Sequence, residues 1–201
     1  MEETYLLALT VVTGFIDAVS FIGLHLFTAN MTGNVIVLGF AVAGAQGLSV
    51  THSILALVCF MTGATIGGRL SPRIAFTCEG PLLLAAAFAA LSAGASGVIV
   101  FTAIAMGIRT AAVRKLGVAD LTTTVLTLTI TGLAADSSLA GGSNPRWQRR
   151  VAAIGSLLSG AVAGALLLRH SMALPLAVAA VISIACAIGM SRVLSKRGGQ
   201  T

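Results

Sequence analysis

Polar and charged side chains recur at two places in this otherwise apolar chain. The first stretch has Asp17 shortly after Gly14 and then a run of Thr and Asn; the second has Arg109 shortly after Gly107 and then a run of Thr. Such groups inside an apolar protein bind a polar solute or an ion, or they bond to neighbouring backbone. Besides Asp17 and Arg109, the candidate solute-binding residues are Thr28, Asn30, Thr32, Asn34, Thr122, Thr123, Thr124 and Thr127.

The composition places these residues in a membrane protein. The chain is 57% hydrophobic and 9% charged, whereas soluble domains contain about 25% charged residues. Glu2 and Glu3 stand where a signal peptide would be basic, and no small-residue cleavage site follows, so we expect no cleaved leader. The basic residues flank apolar runs, as in membrane proteins. We therefore expect the lipid bilayer as the main partner and no nucleic acid.

Six apolar stretches are long enough to cross a bilayer, which takes about 20 helical residues. They cover about 4–23, 50–69, 80–96, 97–116, 151–169 and 172–192. Two further apolar segments, about 30–44 and 121–135, are too short to cross comfortably. The sequence thus predicts an all-α integral membrane protein with six full transmembrane helices and two short re-entrant or half helices.

The basic residues also predict the orientation. With six crossings and a cytoplasmic N-terminus, every cluster of Lys and Arg lies in the cytoplasm, and only Arg169 faces out. With eight crossings, two of the clusters would lie outside in either orientation. We therefore expect both termini in the cytoplasm.

The two halves of the chain share features in the same order. A small-Gly-Ala-x-x-Gly motif contains Gly63 in one half and Gly160 in the other, at nearly equal distances from Gly14 and Gly107. Three crossings in each half, an odd number, would invert one half relative to the other. We predict one membrane domain, 1–201, built from inverted repeats 1–96 and 97–201. The glycines allow close helix packing, either within the chain or in a homodimer.

The short segments suggest a binding site. The first N–H groups of a helix lack partners and carry partial positive charge, so two opposed short helices would favour an anion or a carboxylate-bearing solute. The alternative is that their Thr and Asn residues only cap the helices. Asp17 and Arg109 could form a salt bridge with each other. Alternatively, Asp17 could act as a proton carrier or ion contact, and Arg109 could contact an anionic substrate. The predicted spans contain no second carboxylate, so we expect no relay of several carboxylates.

The stretch from Gly14 to Phe21, followed by Ala29-Asn30-Met31-Thr32-Gly33-Asn34, resembles the signature of the YoaK-like family of small bacterial inner-membrane proteins. The run from Asp120 to Thr124 also resembles that family, although Ile108-Arg109 stands where a Gln-Asn pair is expected. The resemblance implies a bacterial inner-membrane protein with a domain of unknown function, and it implies no substrate.

The residues leave three functions open. The first is a secondary transporter or exporter of a small, anionic or carboxylate-bearing solute. The second is a passive channel, and the third is a non-transporting scaffold or assembly protein. The chain has no paired catalytic carboxylates, no nucleophile motif and no metal-ligand spacing. We therefore expect no enzyme, no cofactor and no bound metal.

Overall fold

The computed structural model describes residues 2–92, 94–117 and 126–198, and all regular structure in them is helical. Its α-helices are α1 (Glu2–Leu24), α2 (Met31–Val42), α3 (Val50–Arg69), α4 (Pro72–Ser92), α5 (Gly94–Leu116), α6 (Leu126–Ala135), α7 (Trp147–Leu168) and α8 (Ala173–Gly198), with a 3-10 helix at Ser138–Ala140. Six of these helices are long and apolar enough to cross a membrane. The predicted all-α class and the number of spans are confirmed.

The helices α2 and α6 correspond to the two short apolar segments. They contain 12 and 10 residues, which at about 1.5 Å per residue gives lengths of about 18 and 15 Å. The hydrocarbon core of a bilayer is about 30 Å thick. Over its described residues, neither short helix is therefore long enough to cross by itself.

The prediction of a span over 80–96 is wrong at both ends, because the third long helix is Pro72–Ser92. It begins where Ser71 Oγ accepts a hydrogen bond from the Ile74 N–H at 3.4 Å and Pro72 takes the first helical position. Pro81 resembles a helix start in the sequence but lies inside α4. As a consequence Glu79 is within the helix, and the expectation of no second carboxylate inside the spans is also wrong.

Glycines bring α1 and α7 into backbone contact. A Cβ added to Gly160 would overlap the backbone of Val11, and a Cβ on Gly164 would meet the backbone of Phe15. Gly14 fits against the α7 backbone in return. Because residue numbers rise together along both helices, α1 and α7 run parallel.

The helices α3 and α5 make the equivalent contact. A Cβ on Gly63 would overlap the backbone of Ile104, and one on Gly67 would press on that of Ile108, while Gly107 fits against α3. These two helices therefore also run parallel. The glycine motif of each half packs within the chain, against the first long helix of the other half.

The helix α8 runs antiparallel to α1. Gly189 near the end of α8 lies against Tyr5 near the start of α1, and Gly23 near the end of α1 lies against Met172, just before α8. Two buried clusters show the directions of α4 and α5. One contains Leu9, Phe76 and Val113, and the other contains Val19, Ala89 and Val98. Hence α4 runs with α1, and α5 runs against both.

Together these contacts give α1, α4 and α7 one direction and α3, α5 and α8 the opposite one. The end where α1 begins is called the basic end, because it collects Arg69, Arg73, Arg114, Lys115, Arg146, Arg149, Arg150, Arg192, Lys196 and Arg197. There Arg149 pairs with Glu3 at 3.1 Å. The segment containing α2 connects two helix ends at the far end, and the segment containing α6 connects two at the basic end.

Candidate functional site

A cavity of about 280 Å³ lies among α1, α2, α6 and α7. Its lining residues are Thr13, Asp17, Ala29, Asn30, Thr32, Gly33, Ile36, Leu126, Thr127 and Leu157. The wall combines three hydroxyls, an amide and a carboxylate with apolar surface. Both short helices contribute residues near their described beginnings to this one space, although they belong to opposite halves of the chain.

The chain between α1 and α2 folds back along α1 to reach the cavity. The ring of Phe27 stacks on that of Phe21, with centroids 4.9 Å apart, so the segment returns beside the helix it has just left. It brings the backbone N–H groups of Ala29 and Asn30 to the Asp17 carboxylate. Asp17 is seven residues before the end of α1, a depth of about 10 Å along the helix. The start of α2 therefore lies beside the middle part of α1 rather than at the end of that helix.

Two side chains fix α2 in this position. Asn30 is the N-cap, and its Oδ1 accepts a hydrogen bond from the Gly33 N–H at 3.3 Å. Asn34 is fully buried, and its Nδ2 donates to the Ser53 carbonyl oxygen at 2.9 Å, which attaches α2 to α3. Asn30 thus both caps the helix and lines the cavity, whereas Asn34 has a structural contact away from it.

The helix α6 reaches the cavity from the basic end. Leu126 and Thr127 line the cavity, and further along α6 the Gly132 carbonyl oxygen accepts a hydrogen bond from Arg150 on α7. Arg150 also pairs with Asp136 at 2.8 Å. These contacts hold α6 against α7. The candidates Thr122, Thr123 and Thr124, which directly precede α6, lie outside the described residues.

Asp17 is the charged group of the cavity wall. Its Oδ1 is buried and has no hydrogen-bond partner among the described residues. The rest of the side chain is partly exposed, on the side that lines the cavity. The guanidinium of Arg109 is within electrostatic range of the carboxylate.

Arg109 is paired with Glu79 rather than with Asp17, so the salt bridge between Asp17 and Arg109, one of the alternatives that the sequence left open, is not formed. Arg109 Nη1 lies 2.9 Å from Glu79 Oε1, and both side chains are buried. The same Nη1 donates to the Leu9 carbonyl oxygen at 3.0 Å, and Nη2 donates to the Thr13 hydroxyl. Ser183 on α8 donates to Glu79 Oε1 at 3.0 Å. One buried polar network therefore joins α1, α4, α5 and α8.

The structure brings four of the ten predicted site residues to the cavity: Asp17, Asn30, Thr32 and Thr127. Arg109 is adjacent, connected to the cavity wall through Thr13. Thr28 is fully buried and is not part of the wall, and Asn34 faces α3. Within residues 2–92, 94–117 and 126–198, no cluster of His, Cys, Asp and Glu has the composition of a metal site.

Sequence reasoning missed Thr13, Glu79 and Ser183. Thr13 was detectable, since it precedes Asp17 by four residues and therefore shares its helix face. Glu79 would have been found from the helix-start signature Ser71-Pro72. Nothing in the sequence indicates a role for Ser183, because a single serine in an apolar helix gains one only through its spatial neighbours.

The six long apolar helices define a multi-pass membrane protein. The chain belongs to the family described as "Protein of unknown function (DUF1275)", whose model matches residues 5–189. It is 34% identical over 154 residues to the UPF0700 transmembrane protein YoaK of Bacillus subtilis (strain 168), with 68% of each chain covered. The resemblance to the YoaK-like family is thus confirmed. No solved structure matches the chain.

Proposed function

We propose that this protein is a secondary transporter or exporter of a small, carboxylate-bearing solute, which binds in the cavity between α2 and α6. The observation that carries the proposal is the meeting of two short helices from opposite halves at one polar cavity. Interrupted, polar-tipped segments at matching places in two repeats are characteristic of transporter substrate sites. We propose no enzymatic activity.

The two short helices are, in this proposal, re-entrant half helices. The segment with α2 leaves and returns at the far end, because α1 and α3 run in opposite directions. Its Asn30 nevertheless lies at the depth of Asp17. The segment with α6 leaves and returns at the basic end, and its Thr127 borders the same cavity. Their first residues would then approach a common site from opposite faces of the membrane.

The two halves are, in the same proposal, inverted repeats. The corresponding first long helices, α1 and α5, run in opposite directions. The glycine motif of each half packs against the first long helix of the other half. Gly160 of α7 contacts Val11 of α1, and Gly63 of α3 contacts Ile104 of α5. Such an arrangement offers alternating access, in which one half rocks against the other around the shared site.

The charge distribution supports a cytoplasmic basic end. Ten of the 12 Lys and Arg residues lie there, one is the buried Arg109, and only Arg169 is at the far end. Positive charges are retained on the cytoplasmic side during membrane insertion. Both termini would then be cytoplasmic, and the membrane would be the bacterial inner membrane, as the family resemblance implies.

The cavity restricts the size and the charge of the solute. A volume of about 280 Å³ lies at the lower end of the range of ligand pockets, about 300–1,000 Å³, so the solute is small. The start of a helix favours an anionic group, and Asn30, Thr32 and Thr127 offer hydrogen bonds. Arg109 is neutralised by Glu79, so the preference for a carboxylate comes from the start of α2.

The test is the thermal stability of the detergent-purified protein against a panel of small carboxylates, inorganic anions, nucleobases and cations. A carboxylate present at about 100 times its dissociation constant should add about 2.7 kcal/mol to the free energy of unfolding. The Asn30→Ala variant should lose this response, because Asn30 lines the cavity.

The matched control is Ser49→Ala. Ser49 caps α3 by accepting a hydrogen bond from the His52 N–H at 3.2 Å, as Asn30 caps α2, but it does not line the cavity. Each variant should lose about 1 kcal/mol of stability through its cap, and only Asn30→Ala should lose the ligand response. A panel without any stabilising ligand would contradict the transporter and favour the scaffold. Flux that does not saturate with solute concentration would instead indicate a channel.

A further inference from the structure

Two carboxylates and one guanidinium occupy the centre of the helix bundle. Asp17 on α1 and Glu79 on α4 both interact electrostatically with Arg109 on α5, and with no other cation among the described residues. The titratable group that faces them from α8 is Cys186. The described residues of α2, α6 and α7 bring no charged side chain to the cavity. With both carboxylates ionised, this cluster therefore has one excess negative charge.

An excess charge at this depth is unfavourable. Desolvating an ionised carboxylate costs several kcal/mol unless it is paired, and a buried group commonly neutralises instead. One proton balances the cluster, since a neutral carboxyl then accompanies one carboxylate–guanidinium pair. The charge count thus predicts one bound proton for the three side chains together.

The contacts determine which carboxylate holds the proton. Glu79 is 0% exposed and is bound by both Arg109 and Ser183, so its charge is compensated and inaccessible. One oxygen of each carboxylate, Glu79 Oε2 and Asp17 Oδ1, is buried without a partner among the residues that the structure describes. Access therefore distinguishes them, because Asp17 lines the cavity and Glu79 does not. We propose that Asp17 is a proton-binding site that exchanges its proton through the cavity and couples solute transport to proton movement.

The geometry connects this proton to the anionic solute. The ionised Asp17 carboxylate lies beside the N–H groups of Ala29 and Asn30, which lead into α2. It thus occupies the positive region that an anionic solute would use. A proton on Asp17 removes that negative charge, and the solute carboxylate takes its place at the start of α2. Proton binding and solute binding then strengthen each other by the same factor, which is the requirement for symport.

This inference rests on the proposed function, but its test uses the proton alone. The wild type, reconstituted without solute on a solid-supported membrane, is exposed to steps of external pH, and the displaced charge is recorded. We expect a transient charge displacement in the wild type and none in Asp17→Asn, which keeps the shape of the side chain but cannot ionise. The control Glu3→Gln makes the same acid-to-amide change at a carboxylate that pairs with Arg149 outside the cavity, and it should retain the displacement.

The variant Glu79→Gln tests the charge count separately. It leaves one carboxylate for one guanidinium, so the cluster is balanced without a proton, and the displacement seen in the wild type should disappear. Gel filtration and thermal unfolding show which variants are folded. If Glu79→Gln does not fold, Asp17→Asn tests the inference by itself, because its side chain has nearly the shape of the wild-type one.

Two results would overturn the inference: a wild type without displacement, or an Asp17→Asn protein that displaces as much charge as the wild type. The proposed function can fail independently. A ligand panel without any response, together with a displacement that depends on Asp17, would refute the solute site and leave the proton site standing. A carboxylate that stabilises the protein while no charge moves would support the solute site and refute the proton site.

Discussion

Removing one member of the Glu79–Arg109 pair should destabilise the protein more than exchanging both for amides. The two groups are 2.9 Å apart, with side-chain exposures of 0% and 4%. In Arg109→Gln, the carboxylate of Glu79 stays buried with Ser183 as its hydrogen-bond donor. In Glu79→Gln, the guanidinium stays buried without a counter-ion in direct contact. Neither remaining charge can reach water, so each single variant bears a desolvation cost.

The contacts of the two side chains allow the stability losses of the variants to be compared. Loss of one partner of a buried ion pair costs about 3–5 kcal/mol. Arg109 also donates to the Leu9 carbonyl oxygen and to Thr13, and each lost hydrogen bond adds about 1 kcal/mol. Arg109→Gln should therefore be the more severe single change. The double variant places two neutral amides side by side, so it should recover about 2–3 kcal/mol relative to the sum of the singles.

The assay is reversible unfolding in mixed detergent micelles, followed by the loss of helical signal, for the wild type, both single variants and the double variant. Leu84→Ala, which changes an exposed side chain of α4, controls for any general sensitivity of that helix. A double variant that loses as much free energy as the two singles added together would show that the groups are not coupled. The account of the buried network would then be refuted.

Three further outcomes are expected. Gly160→Val should lower the stability measured by thermal unfolding by about 3 kcal/mol, because a Cβ at this position meets the α1 backbone. The control Gly155→Val, which has open space around it, should be nearly neutral. Equal losses of stability would argue against the close helix contact. Asn34→Ala removes the bond from α2 to α3 and should speed amide hydrogen exchange in α2 but not in α7, as measured by mass spectrometry. In a variant lacking native cysteines, Gln46→Cys in the exposed turn after α2 should react with an impermeant thiol reagent in intact cells, and Ser143→Cys before α7 should react only after permeabilisation. The reverse result would invert the orientation.

Much of the fold is a direct consequence of local sequence. Long apolar runs predict the helices, because in lipid every backbone polar group must be satisfied inside its own segment. The lengths of α2 and α6 follow from the same hydropathy, and the matched glycines around Gly63 and Gly160 indicate where helices approach closely. The polar run at the start of α2 likewise pointed to Asn30 and Thr32 as cavity residues.

The partners of the charges depended on tertiary structure. Glu79 and Arg109 are 30 positions apart in the chain, and nothing in their spacing shows that their helices turn these side chains toward each other. Rotation of a helix about its axis is decided by packing along its whole length. By itself, the sequence therefore determined a six-span, all-helical membrane protein with two short polar-tipped segments. Only the assembled bundle decided that Arg109 pairs with Glu79 and that Asp17 faces the cavity.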